Sequence, residues 1–295
     1  MSSKPVWLIT GCSSGFGFSL AVLAAKQDHK VIATSRNPSK SPERVSQLES
    51  LGGIWKALDV TVPDLKDRVT ELLAIYGQID VLVNNAAYGV LGAVEDMPTS
   101  AVHDQFATNV FGPLTLTQLI LPQIRSRRTG TILNVSSVGG LCLSPCTGIY
   151  AASKHALEAW TKGLSLEVKD FGIKVFIIEP GSSRTGFLSI QSGSAAGGSF
   201  QITPSEPYKD GTAGHWLGLF GNLHGKELGD VEEAARAMWE VATGTGELGS
   251  VVHKEGYVRV LLGKDCVDAV TRKLAELQRT LDGEKDLISS LQVDL

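Results

Sequence analysis

Short runs rich in Val, Ile and Leu alternate along the chain with longer stretches in which apolar positions recur every three or four residues, the pattern of strands alternating with helices. VWLIT (6–10), KVIATS (30–35), GIWKALDV (53–60), IDVLVNNA (79–86), GTILNVSS (130–137) and IKVFIIEP (173–180) read as six strands, with a seventh expected over 257–262. Helices are expected over 17–27, 41–51, 62–77 and 100–128, and a further one carries Tyr150 and Lys154 and runs to about 171. The strands show little polar–apolar alternation, which predicts a sheet covered on both faces. Joined by right-handed crossovers, these elements build an α/β fold with a doubly wound parallel sheet, whose ligands bind outside the carboxyl ends of the strands.

Two segments depart from this rhythm. Residues 186–230 contain GSAAGGSFQITPSEP, rich in Gly, Ser and Pro, and then the more apolar GTAGHWLGLFGNLHG. This insertion is expected to form a small lid over the site, the alternative being a surface excursion. The stretch 265–291, with Val267, Val270, Leu274, Leu277 and Leu281, has helical periodicity and is expected to pack on the core or on a partner subunit. No internal repeat or linker divides the chain, so residues 1–295 are read as one domain.

Composition narrows the function classes. The chain is 43% hydrophobic and 20% charged with a net charge of −4, so it carries no basic footprint for nucleic acid or an anionic membrane. No apolar run reaches the ~18 residues of a spanning helix. The opening apolar run is short and leads into glycines, so it reads as a strand and a cytoplasmic location is expected. The four cysteines, Cys12, Cys142, Cys146 and Cys266, form neither a disulfide framework nor a zinc spacing, and no metal site is expected.

Candidate chemistry begins at TGCSSGFG (10–17), directly after the first strand and at the start of a helix. Gly11, Gly15 and Gly17 let the backbone approach a pyrophosphate, and the helix N-terminus offers N–H groups and the positive end of its dipole. Ser13, Ser14 and Phe16 belong to the same turn. The spacing is G-x-x-x-G-x-G, not the G-x-G-x-x-G of the usual dinucleotide fingerprint. At the end of the second strand, Ser35 and Arg36 stand where an acidic residue would select NAD(H). A guanidinium pairs with a 2′-phosphate, so NADP(H) is the expected cofactor. Asp59 and Val60 are placed to touch the adenine, and Asn85, Ala86 and Ala87 to line the cofactor with backbone.

Tyr150 and Lys154, four residues apart, share one face of a helix. A free phenol has a pKa near ~10, and a nearby ammonium favours the phenolate. Ser137, closing the fifth strand, lies thirteen residues before Tyr150 and is expected at the same carboxyl edge, where its hydroxyl would donate to a substrate carbonyl. Asn109 is placed to support a water between Lys154 and solvent. A Tyr-x-x-x-Lys pair alone is common in helices; the surrounding motifs give it meaning.

TGCSSGFG, NNAA (84–87), Asn109 in TNVFG, NVSS (134–137), YAASK (150–154) and PGSSRT (180–185), in this order and spacing, resemble the short-chain dehydrogenases/reductases over nearly the whole chain. The resemblance implies a Rossmann-type fold and a catalytic tetrad of Asn109, Ser137, Tyr150 and Lys154, of which Asn109, Tyr150 and Lys154 also meet the cofactor. It makes Tyr150 the acid in reduction and the base in oxidation, with Lys154 on the nicotinamide ribose. Pro180, Gly181, Ser183 and Thr185 would follow the nicotinamide, Thr185 near its carboxamide, with Ser182 a further backbone contact. Ala87 replaces the glycine common in the family, and would carry strain if that position needed a positive φ. The nearest-looking branch is that of hydroxysteroid and retinol dehydrogenases. The implied reaction is NADP(H)-dependent interconversion of a ketone or aldehyde and an alcohol, mainly carbonyl reduction, on an apolar substrate resembling a steroid, retinoid or polyketide. The implied assembly is a homodimer or homotetramer through helices 100–128 and 150–171. The alternatives are a cofactor-assisted cyclase or isomerase on the same scaffold, and a non-catalytic NADP(H)-binding redox sensor.

Other residues receive plainer readings. His103, His155 and His224 are scattered, and His155 points away from Lys154 around the helix. His215, Trp216, Leu217, Leu219 and Phe220 either line the lid's inner face or pack, and Tyr88 either enters the substrate cleft or packs. IRSRR (124–128) is expected to complement a helix dipole and face water.

Overall fold

A computed structural model of the chain describes residues 4–188, 199–223 and 225–289. Strands β1 (Val6–Ile9), β2 (Lys30–Ser35), β3 (Ile54–Ala57) and β4 (Val81–Asn84) alternate with helices α1 (Gly15–Lys26), α2 (Pro42–Ser50) and α3 (Leu65–Tyr76). After a two-residue strand β5 (Val90–Leu91) come α4 (Thr99–Phe106), α5 (Gly112–Arg127), β6 (Gly130–Val135), α6 (Gly148–Glu167) and β7 (Ile173–Pro180). Then follow β8 (Phe200–Gln201), α7 (Glu206–Lys209), α8 (Thr212–Leu223), α9 (Val231–Thr243), α10 (Gly246–Glu255), β9 (Arg259–Leu262) and α11 (Lys264–Ser289). Seven strands form one sheet in the order β3-β2-β1-β4-β6-β7-β9, every pair parallel. The chain winds outward in both directions from β1, so the order reverses between β1 and β4, and a crevice opens at the carboxyl ends of those two strands.

The residues of β1 show why both faces are covered. Trp7 and Ile9 join a core with Leu20 and Ala24 of α1 and Met238 and Val241 of α9. Val6 and Leu8 face the opposite core, which holds Leu72 of α3, Leu116 and Ile120 of α5 and Leu164 of α6. Each such fully buried aliphatic side chain contributes roughly 1.5–3 kcal/mol. The predicted third, fourth and fifth strands are each shorter in the structure, because their last residues leave the ladder to line the crevice or turn, and the seventh begins at Arg259, later than expected. Helices α9 and α10 lie in sequence that carries no expected element above. Asp230 caps α9, accepting from Glu232 N at 2.8 Å and Glu233 N at 3.2 Å, and its alanine-rich face packs closely on α1.

The long helix expected over 100–128 is interrupted. Residues Ala107–Phe111 form a π-helical turn between α4 and α5, and Asn109 sits inside it. Such wide turns recur at functional sites because they re-aim a side chain. The basic cluster at the end of α5 does not simply face water: Arg127 pairs with Asp80 and donates to the Ile79 carbonyl, tying the helix end to the loop that enters β4.

The expected lid is only partly described, since 189–198, residue 224 and the end of the C-terminal helix at 290 and 291 lie outside the described residues. β8 pairs parallel with β5, and Gln201 Nε2 donates to Leu217 O at 3.0 Å. Tyr208 OH donates to Glu95 Oε2 at 2.6 Å. Among the described residues no helix is long and apolar enough to cross a membrane, and no group of three or more His, Cys, Asp or Glu is arranged to hold a metal ion.

Candidate active site

A cleft of about 360 Å³ occupies the crevice at the switch point of the sheet. All of the residues assigned above to catalysis and cofactor binding line it, except Gly17 and Asn109. The glycine turn forms one end. Gly11 has φ +72°, and a Cβ there would lie 2.7 Å from Ala86 Cα. Gly15 has φ +58°, and a Cβ there would stand 3.1 Å from the Thr185 methyl across the cleft. Backbone conformation favours glycine at both positions, and at Gly11 the space against the Ala86 backbone excludes a side chain as well. α1 begins at Gly15, and its N-cap Ser14 makes no side-chain capping bond, so the first-turn N–H groups face the cleft without a capping oxygen. Gly17 lies behind the lining, against the amide of Asn85, which donates to Thr10 O at 2.9 Å and Gly11 O at 3.1 Å. This cradle fits the diphosphate of a dinucleotide.

At the adenosine end, Ser35 is buried and its hydroxyl accepts from Trp55 Nε1 at 3.0 Å, and Ser35 and Arg36 both line the cleft. Arg44 of α2 also reaches this region, donating to Ser13 O at 2.5 Å. Asp59 braces its own turn by accepting from Thr61 N at 2.9 Å. Ala87 is not in the left-handed region, so the strain considered for it does not arise; near the cleft it is Cys146, at φ +67°, that adopts that conformation.

Strand β6 and helix α6 supply the reacting groups. Ser137 follows β6, and its hydroxyl oxygen accepts from Gly139 N at 3.1 Å. The Ser137 hydroxyl faces the Tyr150 phenol and pulls its pKa down. The Tyr150 ring is held between Gly89 and Gly139, where added Cβ atoms would approach it to 3.4 and 3.2 Å, and it tilts against Phe187 with centroids 5.3 Å apart. One turn along α6, Lys154 is 2% exposed. Its Nζ donates to Val135 O at 2.8 Å and lies 5.9 Å from the centre of the Tyr150 ring.

The electrostatics depart from the sequence expectation. Burial dominates and pushes the Tyr150 phenol up to about 12, against the pull of Ser137. The Lys154 ammonium is not what sets the phenol here, because it points to the Val135 carbonyl and its own pKa is driven down to about 8 by burial. Glu158, one further turn along, opposes that fall. The Glu158 carboxylate is itself 4% exposed. It accepts from Ser136 Oγ at 2.5 Å and from Arg259 at 2.7 Å, and Arg259 also pairs with buried Glu179. No motif reading marks Glu158 or Arg259; only the fold brings them together, 101 residues apart in sequence.

Asn109 is 1% exposed and does not reach the cleft. Its Nδ2 donates to Tyr88 O at 2.9 Å and to Ser153 Oγ at 3.0 Å, and its Oδ1 accepts from Tyr88 N at 3.2 Å. It fixes the backbone of Tyr88, which lines the cleft and stacks on Phe200 at 6.2 Å. His155 is taken up by the Ala151 carbonyl at 2.8 Å. The remaining wall is largely apolar, from Leu91, Val138, Phe187, Phe220 and Leu223. Of the lid residues singled out in the sequence, Phe220 enters this wall; Leu217 is buried, Leu219 is exposed, and His215 and Trp216 lie outside the lining.

A family model described as short chain dehydrogenase matches residues 5–192. The oxidoreductase YusZ of Bacillus subtilis, described as uncharacterized, is 36% identical over 250 residues, 82% of this chain and 85% of its own length. A solved short-chain dehydrogenase from Streptomyces avermitilis superposes with a TM-score of 0.84 at 33% identity, covering 99% of this chain and all of that one. A metagenomic short-chain oxidoreductase solved in complex with NADP has a TM-score of 0.58 at 28% identity, over 62% of this chain and 84% of its own.

Proposed function

The chain belongs to the short-chain dehydrogenase/reductase family and is an oxidoreductase of that type, and on that premise we propose that it uses NADP(H) to reduce a ketone or aldehyde on an apolar small molecule. The observation that carries this reading is the placing of Ser137 and Tyr150 together on the cleft wall, with Lys154 one helical turn behind them. Gly11, Gly15 and the α1 N-terminus would hold the cofactor diphosphate, Arg36 its 2′-phosphate, and Thr185 its nicotinamide end. When bound, the nicotinamide supplies the hydride.

Ser137 orients the substrate oxygen: its own oxygen is engaged by Gly139 N–H, and its O–H, which faces the Tyr150 phenol in the free protein, turns to donate to the substrate. Tyr150 holds the proton that the nascent alkoxide needs. With its pKa raised to about 12 the phenol is fully protonated at neutral pH, which suits the acid of a reduction. Lys154 keeps a positive charge behind the phenol as that proton leaves, and Asn109 positions Tyr88. The apolar wall of Leu91, Phe187, Phe220 and Leu223 supports a steroid-, retinoid- or polyketide-like substrate under a lid built on α8. We also propose a cytoplasmic homo-oligomer paired through α4–α5 and α6, on which Phe111 and Leu166 are exposed.

The test is to mix the protein with NADPH and a panel of apolar ketones and follow the cofactor absorbance. Turnover that disappears in Tyr150→Phe while NADPH affinity is retained supports the reading. Tight NADPH binding with no oxidation across the panel overturns it in favour of a binding or non-redox role.

A further inference from the structure

The adenosine end of the cleft carries a second guanidinium, from Arg44, besides that of Arg36. Arg44 lies on α2 and is exposed, and its Nη1 donates to Ser13 O in the glycine turn at 2.5 Å. Its Cζ stands over the Phe18 ring of α1, 5.6 Å from the centroid. These two contacts fix where the side chain lies and leave most of its hydrogen-bonding capacity unused. Among the described residues Nε and Nη2 of Arg44 meet no acceptor, and the guanidinium pairs with no carboxylate. A planar fork held at one corner presents its remaining N–H groups to the oxygens of an anion.

The fold places this fork beside Arg36. Cys12 N donates to Thr34 O at 2.8 Å, so the glycine turn lies against the end of β2, and Ser13 lines the cleft together with Ser35 and Arg36. Phe18, under Arg44, tilts against Trp55 with centroids 6.3 Å apart, and Trp55 Nε1 holds the Ser35 hydroxyl. The Phe18 and Trp55 rings thus make one apolar floor that runs from Arg44 to the residue before Arg36. The turn between the two arginines is braced. Asn37 Oδ1 accepts from Ser39 N at 3.1 Å and from Ser39 Oγ at 2.6 Å, and Ser41 N donates to Pro38 O at 3.0 Å. The charge agrees with the geometry. Over 35–44 the charged residues are Arg36, Lys40, Glu43 and Arg44, net +2 in a chain whose net charge is −4. A local positive patch on an acidic protein favours an anionic group at that spot.

We propose that Arg44 is a second specificity-determining residue for the cofactor and meets the 2′-phosphate of NADP(H) together with Arg36. The inference rests on the NADP(H) reading above and adds a group from a different element, since Arg36 follows β2 and Arg44 belongs to α2. A phosphate has oxygens enough for two forks, and NADH, with a 2′-hydroxyl in its place, offers Arg44 no anion. The competing role, pinning the glycine turn through Ser13, serves both cofactors equally, because that turn faces the diphosphate they share.

The experiment measures, by calorimetry on the full chain, the dissociation constants for NADPH, NADH and 2′,5′-ADP. The proteins are wild type, Arg44→Ala, Arg44→Gln and Arg36→Ala/Arg44→Ala, and thermal unfolding of each verifies the fold. Glutamine keeps an N–H donor for Ser13 O and lacks the charge. The expected result in both single variants is about tenfold weaker binding of NADPH and of 2′,5′-ADP, with NADH within about twofold of wild type. The double variant is expected to bind NADPH no more tightly than NADH. A full wild-type preference for NADPH in Arg44→Gln overturns the proposal and leaves the NADP(H) reading standing. So does an equal loss for NADPH and NADH, which confines Arg44 to bracing the turn. A wild type that binds NADPH no more tightly than NADH overturns the NADP(H) reading and the proposal with it.

Discussion

Arg259, on the last strand of the sheet, donates to the Glu158 carboxylate at 2.7 Å, one helical turn beyond Lys154 on α6. The same carboxylate accepts from Ser136, the residue before Ser137. A buried ion pair thus joins the end of the chain to the strand and helix that carry the reacting groups. Replacing Arg259 by Met leaves Glu158 and Glu179 buried without their cation, which is expected to destabilise the fold by about 2–4 kcal/mol. That is the low side of the usual cost of breaking a buried pair, because Arg259 is partly solvated. Chemical denaturation checks the value, and Arg259→Lys is expected to recover part of it.

Lys154 sets a second expectation. In the free enzyme its ammonium loses its proton near pH 8, well below the ordinary lysine value, because burial penalises the charged form. If the positive charge is what supports proton transfer from Tyr150, kcat/KM for reduction holds below about pH 8 and falls about tenfold per pH unit above it, since that ratio reports the free enzyme. The Glu158 carboxylate sustains the ammonium, so Glu158→Gln is expected to move this descending limb to lower pH. In Lys154→Arg, which cannot deprotonate in this range, the limb is expected to vanish, with a lower plateau. A pH–rate profile of the three proteins decides; an unmoved limb in Glu158→Gln rules the coupling out.

Arg36 bears on cofactor choice. The Arg36 guanidinium lines the cleft beside Ser35 and is the cation proposed to meet a 2′-phosphate. Hydrogen bonds to a charged group contribute roughly 1.5–3 kcal/mol, so Arg36→Ala is expected to weaken NADPH binding about 10- to 100-fold. NADH affinity should change by no more than about twofold. Titrations of cofactor fluorescence give both constants, and equal losses for the two cofactors would remove Arg36 from the selection.

Asn109 satisfies both the N–H and the C=O of Tyr88 from within the π-helical turn. Asn109→Ala leaves those buried groups unpaired, at a cost of about 1–3 kcal/mol. The expected signature is a lower midpoint of unfolding together with a raised KM, because the cleft wall at Tyr88 loosens. A variant with unchanged stability and a changed KM would mean that the side chain meets substrate instead.

The local sequence determined a great deal about this protein. Apolar runs without alternation fixed a parallel sheet, because strands buried on both faces can have no polar side. Three glycines after the first strand, a Tyr and Lys one turn apart and a serine at a strand end marked the cleft, because each role demands a residue type at a local spacing. Tertiary structure decided what depends on neighbours distant in the chain. Within the π-helical turn, Asn109 is held away from the cleft by its hydrogen bonds to Tyr88 and Ser153, partners that local sequence does not report. The raised Tyr150 and lowered Lys154 pKa values come from burial, which local spacing does not report. The Glu158–Arg259 pair exists only because β9 lies beside β7 and brings the end of the chain against α6.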